Sequence, residues 1–471
     1  MSPGRTMNVA DVSGKLHDVI SQRILLPLAR ARQVARPLTR PTMSALFEGL
    51  RFREGAIAWS DDRKREWILN RLRDVLRRAN RDTVYYRELF ARVGFDPSAD
   101  FTFDDYARLP VLDREDVHRA GRNMVSSAVA PDQLRLDATG GSTGKPTEVW
   151  LGPEERGWRD SGTEAFMRRI GLPAGSRIAY LWGHHLDPVA CDTLRERYQA
   201  FETNTTWFDC FRLSPETLDR YHETFERRRP ACIIAYADAL RSLAEHVAER
   251  GHRPTYPSYG FVTGAEKLWP QHRQTAERVF GRPVHERYGG RDVGGVAFQI
   301  APSDSLDFTV DWSNVLLEPE TADRDSAILI TKLHADGMPM LRYRVGDLGR
   351  FAAGCQPGHP TFALREVLGR ALDRIWLPNG SWLSGIQMPH LMKGHPVREF
   401  MFLQRADYTV ELQVVPANGF GDAARRDILQ TVTANLPNVD VTLSIVDRIP
   451  RTRANKWRPV VTEVQPQDSP A

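Results

Sequence analysis

Between Ile178 and Gly281 the sequence alternates short apolar runs with segments of helical spacing, and few folds accommodate that alternation. Ile178–Trp182, Ala231–Tyr236 and Gly260–Thr263 read as buried strands. Leu240, Leu243, Ala244 and Val247 mark an intervening helix that Gly251 stops, and a second helix runs from about Pro270 to Phe280, where Gly281 ends it. This order predicts an α/β protein built on mixed sheets with helices, its ligand groups gathered at strand ends. At 471 residues the chain exceeds the size at which one core usually stops growing, so more than one domain is expected.

The pattern changes near the C-terminus. Phe400–Gln404 and Tyr408–Val415 alternate as a hairpin would, a helix is expected near Asp422–Asn435, and a strand over Val439–Val446. The small α+β unit is placed at 373–471, just ahead of Ile375–Leu383, whose Asn379-Gly380 is a tight-hairpin signal. The large unit is placed at 47–372, after an Arg-rich leader over 1–46. Ile68, Leu72, Val75, Leu76 and Ala79 predict a helix capped by Ser60 or Asp61 and covering the main sheet.

The stretch Leu136–Leu151 carries the chemistry. Gly140, Gly141 and Gly144 let backbone amides approach an anion, Thr139, Ser142 and Thr143 add hydroxyl donors, and Lys145 adds a charge. A Walker A loop is excluded, because Thr139 stands where its first glycine belongs and Pro146 where its Ser or Thr belongs. A nucleophile elbow at Ser142 requires a helix after the loop, whereas Thr147–Leu151 reads as extended chain. A glycine-rich surface turn without chemistry is the remaining alternative for the loop taken alone.

Charge is nearly balanced, 64 Lys+Arg against 60 Asp+Glu, so neither a nucleic-acid nor a membrane partner is called for. Cys191, Cys210, Cys232 and Cys355 form no C-x-x-C pair, which fits a reducing cytoplasm. No apolar run approaches the roughly 20 residues a membrane span needs.

Joined with five later stretches, the loop resembles the adenylate-forming superfamily and, within it, the phenylacetate-CoA ligase and CapK-like branch, over roughly Phe47 to Val461. Those stretches are Thr263-Gly-Ala-Glu266, Glu286-Arg-Tyr-Gly-Gly-Arg-Asp-Val-Gly294, Tyr343-Arg-Val-Gly-Asp-Leu348, Leu368-Gly-Arg-Ala-Leu-Asp373 and Pro450-Arg-Thr-Arg-Ala-Asn-Lys456. The resemblance implies ATP, Mg²⁺ and coenzyme A as ligands, with Thr139 to Lys145 cradling phosphate. It further implies that Gly264, Ala265 and Glu266 line the adenine, with Arg287, Tyr288 and Gly289 also at the nucleotide. Asp347 would accept from the ribose hydroxyls, Arg370 would lie near the ribose, Asp373 would be the hinge, and Lys456 the mobile catalytic cation.

Three positions depart from the family pattern. Asp292 replaces the usual metal-holding glutamate, Arg291 the usual threonine, and Ala454-Asn455 the usual Ser-Gly before the lysine. A phosphate ~4 Å from Arg291 would gain about 4 kcal/mol at an effective dielectric near 20, enough to share the metal's role, so Arg291 joins Lys456 as a catalytic candidate. No structural zinc is expected.

Trp182, His184, His185 and Tyr236 bring flat rings and polar tips to strand ends and suggest an aromatic acid with a polar substituent. The expected activity is ATP-dependent formation of an acyl-adenylate from an organic acid, then transfer to coenzyme A. Transfer to an amine or other nitrogen nucleophile, and a non-catalytic nucleotide sensor, stay open as alternatives. A homodimer is compatible with the sequence.

Overall fold

The computed structural model describes residues 41–138, 147–173, 175–183, 204–210, 213–302, 305, 307–370, 374–378, 382–384, 388, 391–392, 394–451 and 457–464. Helix α1 (Pro41–Ala56) begins inside the expected leader. It is followed by α2 (Asp61–Asp82), whose first turn is capped by the Ser60 side chain accepting from the Arg63 amide, and by α3 (Val84–Val93). Strands β1 (Arg135–Ala138) and β2 (Glu148–Leu151) pair antiparallel on either side of the glycine-rich segment. That pairing agrees with extended chain after the loop, as opposed to the helix an elbow needs. Helix α4 (Pro153–Arg169) comes next, with Pro in its first turn.

The predicted alternation follows. Strand β3 (Ile178–Trp182), β4 (Thr205–Asp209), α5 (Pro215–Arg228), β5 (Cys232–Tyr236), α6 (Ala237–Glu249), β6 (Gly260–Gly264), α7 (Pro270–Phe280) and β7 (Val284–Gly290) build the parallel part of a sheet. Gly281 ends α7 in the left-handed region at φ 61°, where a side chain would be strained. Strands β8 (Gly294–Gln299), β9 (Phe308–Val310) and a later edge strand at Ala363–Leu364 extend it antiparallel, giving among the described residues eight strands in one sheet. One face is covered by α5, α6 and α7, through Phe225, Leu243 and Phe280. The other is covered by α4, where Phe166 stacks on Phe298 at 4.5 Å.

A four-stranded antiparallel sheet joins Val315–Pro319, Asp325–Lys332, Tyr343–Arg350 and Glu366–Arg370. Helix α2 packs here and on the antiparallel edge of the larger sheet, so it covers the main sheet, as expected from sequence, only at that edge and shares itself with the four-stranded sheet. The reason is that Ile68, Leu72, Val75 and Leu76, all fully buried, are matched by Val315, Ile328 and Ile330, whereas α4 to α7 already occupy both faces of the parallel strands. Each such side chain contributes about 1.5–3 kcal/mol on burial.

Polar contacts fix the angle of α2. Glu154, in the first turn of α4, accepts from Arg71 at 2.9 Å and Arg78 at 2.8 Å and lies 3.2 Å from the His334 ring. Burial works against the Glu154 charge, but His334, Arg78 and Arg71 outweigh it and hold the carboxyl down at about 2. Glu154 therefore stabilises the fold above the ordinary carboxylate range, and the contribution is lost as pH falls toward 2. Glu154→Gln should lower the denaturation midpoint at pH 7. The gap to wild type should close as pH falls from 5 to 3 in chemical denaturation; a gap constant with pH would refute this origin.

The C-terminal elements have a core of their own. Val397–Gln404 and Val410–Pro416 form the hairpin, the helix Asp422–Asn435 lies on it, and Val441–Ile445 and Val460–Thr462 complete a four-stranded sheet. Phe402, Leu412, Val414, Ile428 and Val432 are fully buried between sheet and helix. No helix among the described residues is long and apolar enough to cross a membrane.

Candidate functional site

The C-terminal ends of β5, β6 and β7 open toward the four-stranded sheet, and the motif residues gather there. Tyr288 on β7 donates its hydroxyl to Asp347 Oδ2 at 3.0 Å, so two residues from separate motifs touch directly. The strand register sets Arg370 opposite Asp347, which brings a third motif to the same place. On β6, Gly264 is buried and Ala265 takes a left-handed φ of 68°, unusual for a residue with a side chain and typical of segments shaped for a ligand. Glu266 accepts from the Asp238 amide at 3.1 Å, tying the segment to the start of α6.

Beyond β7 the chain turns through Arg291 and Asp292. Arg291 Nη1 lies 3.3 Å from Asp137 Oδ1, on the strand that enters the glycine-rich segment. Asp292 is 6% exposed. The turn is held from behind by Arg159, which donates to the Arg291 carbonyl at 2.9 Å and the Asp292 carbonyl at 2.7 Å. Arg159 also pairs with Glu155 at 2.5 Å, and Glu155 with Lys332 at 2.9 Å. Burial pulls the Lys332 ammonium below its ordinary range, and the Glu155 charge opposes the shift. Sequence reasoning missed Arg159, Glu155 and Lys332; the i, i+4 spacing of Glu155 and Arg159 was a signal for a helical ion pair, but nothing tied it to the turn at 291.

Asp292 fits a magnesium anchor in one respect. Mg²⁺ commonly takes one or two protein carboxylates and completes its shell with substrate phosphates and water, so a single buried carboxylate is a sufficient donor set. Among the described residues no group of three or more His, Cys, Asp or Glu side chains is arranged to hold a metal.

Trp182 and Tyr236 meet edge to face at 4.3 Å, and the Tyr236 hydroxyl donates to the Gly183 carbonyl at 2.7 Å. Tyr236 is 4% exposed, so packing occupies much of this ring. Tyr180 stacks on Trp207 at 4.2 Å on the adjoining strands. Arg287 lies one residue from Tyr288, and strand alternation turns it to the opposite face, away from Asp347 and beside Phe298. It therefore does not join the nucleotide residues with which the sequence grouped it. Gly289 stays on β7 at φ 155° and is exposed.

Thr139, Gly140, Gly141, Ser142, Thr143, Gly144, Lys145, His184, His185, Asp373 and Lys456 lie outside the described residues, as does the side chain of Arg370. The residues flanking Lys456 are defined. Arg451 reaches across to the large domain, 3.3 Å from Asp238, while also pairing with Glu399 at 2.8 Å. Glu399 in turn lies 3.7 Å from Arg241 of α6. On the other side, Trp457 Nε1 donates to the Phe400 carbonyl at 2.9 Å.

No family model matches the chain. It is 22% identical to the phenylacetate-coenzyme A ligase of Pseudomonas putida over 326 residues, covering 67% of this chain and 72% of that one. With the phenylacetate-coenzyme A ligase of Aromatoleum evansii it shares 23% over 380 residues, 77% and 84% of the two chains. Among solved structures it resembles 2-hydroxyisobutyryl-CoA ligase in the postadenylation state with 2-HIB-AMP, at a TM-score of 0.67 and 18% identity over 86% of this chain and 90% of that one. The same ligase with 2-HIB-AMP and CoA in the thioesterification state gives a TM-score of 0.54 at 19% identity over 86% and 91%. Together the motif order, the two-part fold and these sequence relatives make the chain similar to the adenylate-forming superfamily, in its phenylacetate-CoA ligase-like branch.

Proposed function

We propose that the protein activates an organic acid with ATP, releasing pyrophosphate, and passes the resulting acyl-adenylate to coenzyme A. The observation that carries this reading is the direct contact of Tyr288 with Asp347, with Arg370 across the strand pair, because a ring and a carboxylate held together suit an adenine and its ribose. The names of the sequence relatives support the choice of ATP and coenzyme A.

The chemistry follows from charge. A carboxylate attacking the α-phosphorus of ATP brings two anions together, so cations and oriented donors must face the site before reaction. Arg291, tethered by Asp137 beside the glycine-rich segment, supplies one cation, and Lys456 another from the small domain. Thr139 to Lys145 would cradle the leaving phosphates. Asp292 would hold Mg²⁺, which when bound adds Lewis-acid charge at the phosphates. Arg159 fixes the carbonyls on either side of that carboxylate, so the turn is set before substrate arrives. Asp373 would serve as the pivot that lets Lys456 leave and coenzyme A approach. The half-buried Trp182 ring at the end of β3 suits an aromatic acid.

Incubation with ATP and an acid panel, resolving AMP from ADP, tests the reading; ADP as the sole nucleotide product would contradict it. Asp347→Ala should raise the ATP dissociation constant by about ten- to hundredfold, the worth of hydrogen bonds to a charged group, and Tyr288→Phe by less. Calorimetric titration with ATP checks both, and an unchanged constant for Asp347→Ala would remove Asp347 from the nucleotide site.

A further inference from the structure

Arg287 stands apart from the other buried or half-buried arginines near the site. Arg159, Arg241, Arg273 and Arg342 each have a carboxylate partner. Among the described residues Arg287 has neither a carboxylate partner nor a hydrogen-bond acceptor, although its side chain is half-buried. Its nitrogens are not among the buried polar atoms left without a partner, so they border open space and are not sealed in protein. Burial draws the guanidinium below its ordinary range.

Its neighbours on this face of the sheet are largely aromatic. Arg287 is cross-strand from Phe298, which stacks on Phe166. On the neighbouring strand the matching position is Gly264; a methyl group built there would meet the Arg287 carbonyl at 3.2 Å and the Trp182 ring at 3.8 Å. The absence of a side chain at Gly264 lets the Arg287 backbone and the Trp182 ring approach where a Cβ would crowd them. Farther across the same face stands Tyr180, braced by Trp207. Aromatic neighbours, a glycine and a cation that is unpaired among the described residues suit a flat molecule with an anionic terminus. An arginine fork matches a carboxylate through two parallel hydrogen bonds, and an unpaired half-buried cation is costly until such a group arrives.

We propose that Arg287 is a specificity site for a second acidic oxygen group on the acyl substrate. The preferred acid then carries, on a flat body, a carboxylate remote from the one that is activated. This rests on the acid-activating reading above and names its substrate class; the reacting carboxylate lies on the Arg291 side of β7 and the second one at Arg287.

Matched pairs test it: benzoate against terephthalate, and phenylacetate against 4-carboxyphenylacetate, with the full-length chain, by ATP–pyrophosphate exchange and by calorimetry with a non-hydrolysable ATP analogue. Wild type should prefer the dicarboxylate by at least about tenfold, as expected for a partly desolvated charge pair. Arg287→Leu should abolish or invert that preference, and Arg287→Lys should keep part of it, since one ammonium cannot replace the fork. Arg287→Gln, isosteric enough to fold if the leucine variant does not, should also lose it. A wild type that favours the monocarboxylates, or variants that lose all acids equally while keeping the preference, would overturn the proposal. Arg287-dependent binding of dicarboxylates without any exchange would leave this site standing and remove the adenylation reading; exchange indifferent to Arg287 would do the reverse.

Discussion

Lys456→Ala should lower the rate of adenylate formation by about 10²–10³, the usual cost of removing one donor aimed at developing charge, with little change in ATP affinity. The argument comes from the ends of its loop. Trp457 is tied to the Phe400 carbonyl, and Arg451 bridges to Asp238 beside the Glu266 segment. Five residues of chain reach no more than about 18 Å, which bounds how far position 456 can lie from the Arg451 bridge to the large domain. Single-turnover formation of acyl-AMP and its consumption by coenzyme A should be measured separately. Loss confined to the first step fits a cation that departs before the second, whereas equal loss in both would point to a general folding defect. Activity that ignores the substitution would end the proposal.

The second large effect is expected at Arg159. Arg159→Met should lower kcat/KM for ATP by about 10², because a misplacement near 1 Å at the reacting groups costs that much. One guanidinium fixes the carbonyls of both Arg291 and Asp292 and pairs with Glu155, and its stem lies where a side chain on Gly294 would collide. Arg159→Lys should not restore the rate, since one ammonium cannot span three acceptors at those positions. The Glu155–Lys332 pair survives in the variant, so the folded fraction by circular dichroism should stay high while the rate falls. A folded variant with wild-type kcat/KM would show that the turn holds itself.

Both effects bear on how much the sequence revealed. The helices at 61–82, 270–280 and 422–435 follow from apolar spacing with Ser60 as a cap and Gly281 as a stop, signals that lie within one turn of where they act. The strands at 178, 232 and 260 follow from short apolar runs, and the choice of extended chain after the glycine-rich segment follows from Pro146 and the alternation behind it. The destination of α2 was not legible. Its apolar stripe says that one face is buried, but the partner is chosen by competition among faces formed hundreds of residues away.

The site divides in the same way. Tyr288, Asp347 and Arg370 were named from motif order, because each motif is a local string of residue types. Their contact, the side of β7 on which Arg287 falls, and the role of Arg159 became visible only in the fold. Sequence alone determined which local elements form and which side chains can carry charge to a phosphate, since caps, stops and periodicity act over a few residues. Tertiary structure alone decided which charges find partners and which stay open, because a partner 132 residues away along the chain is set by sheet register and packing.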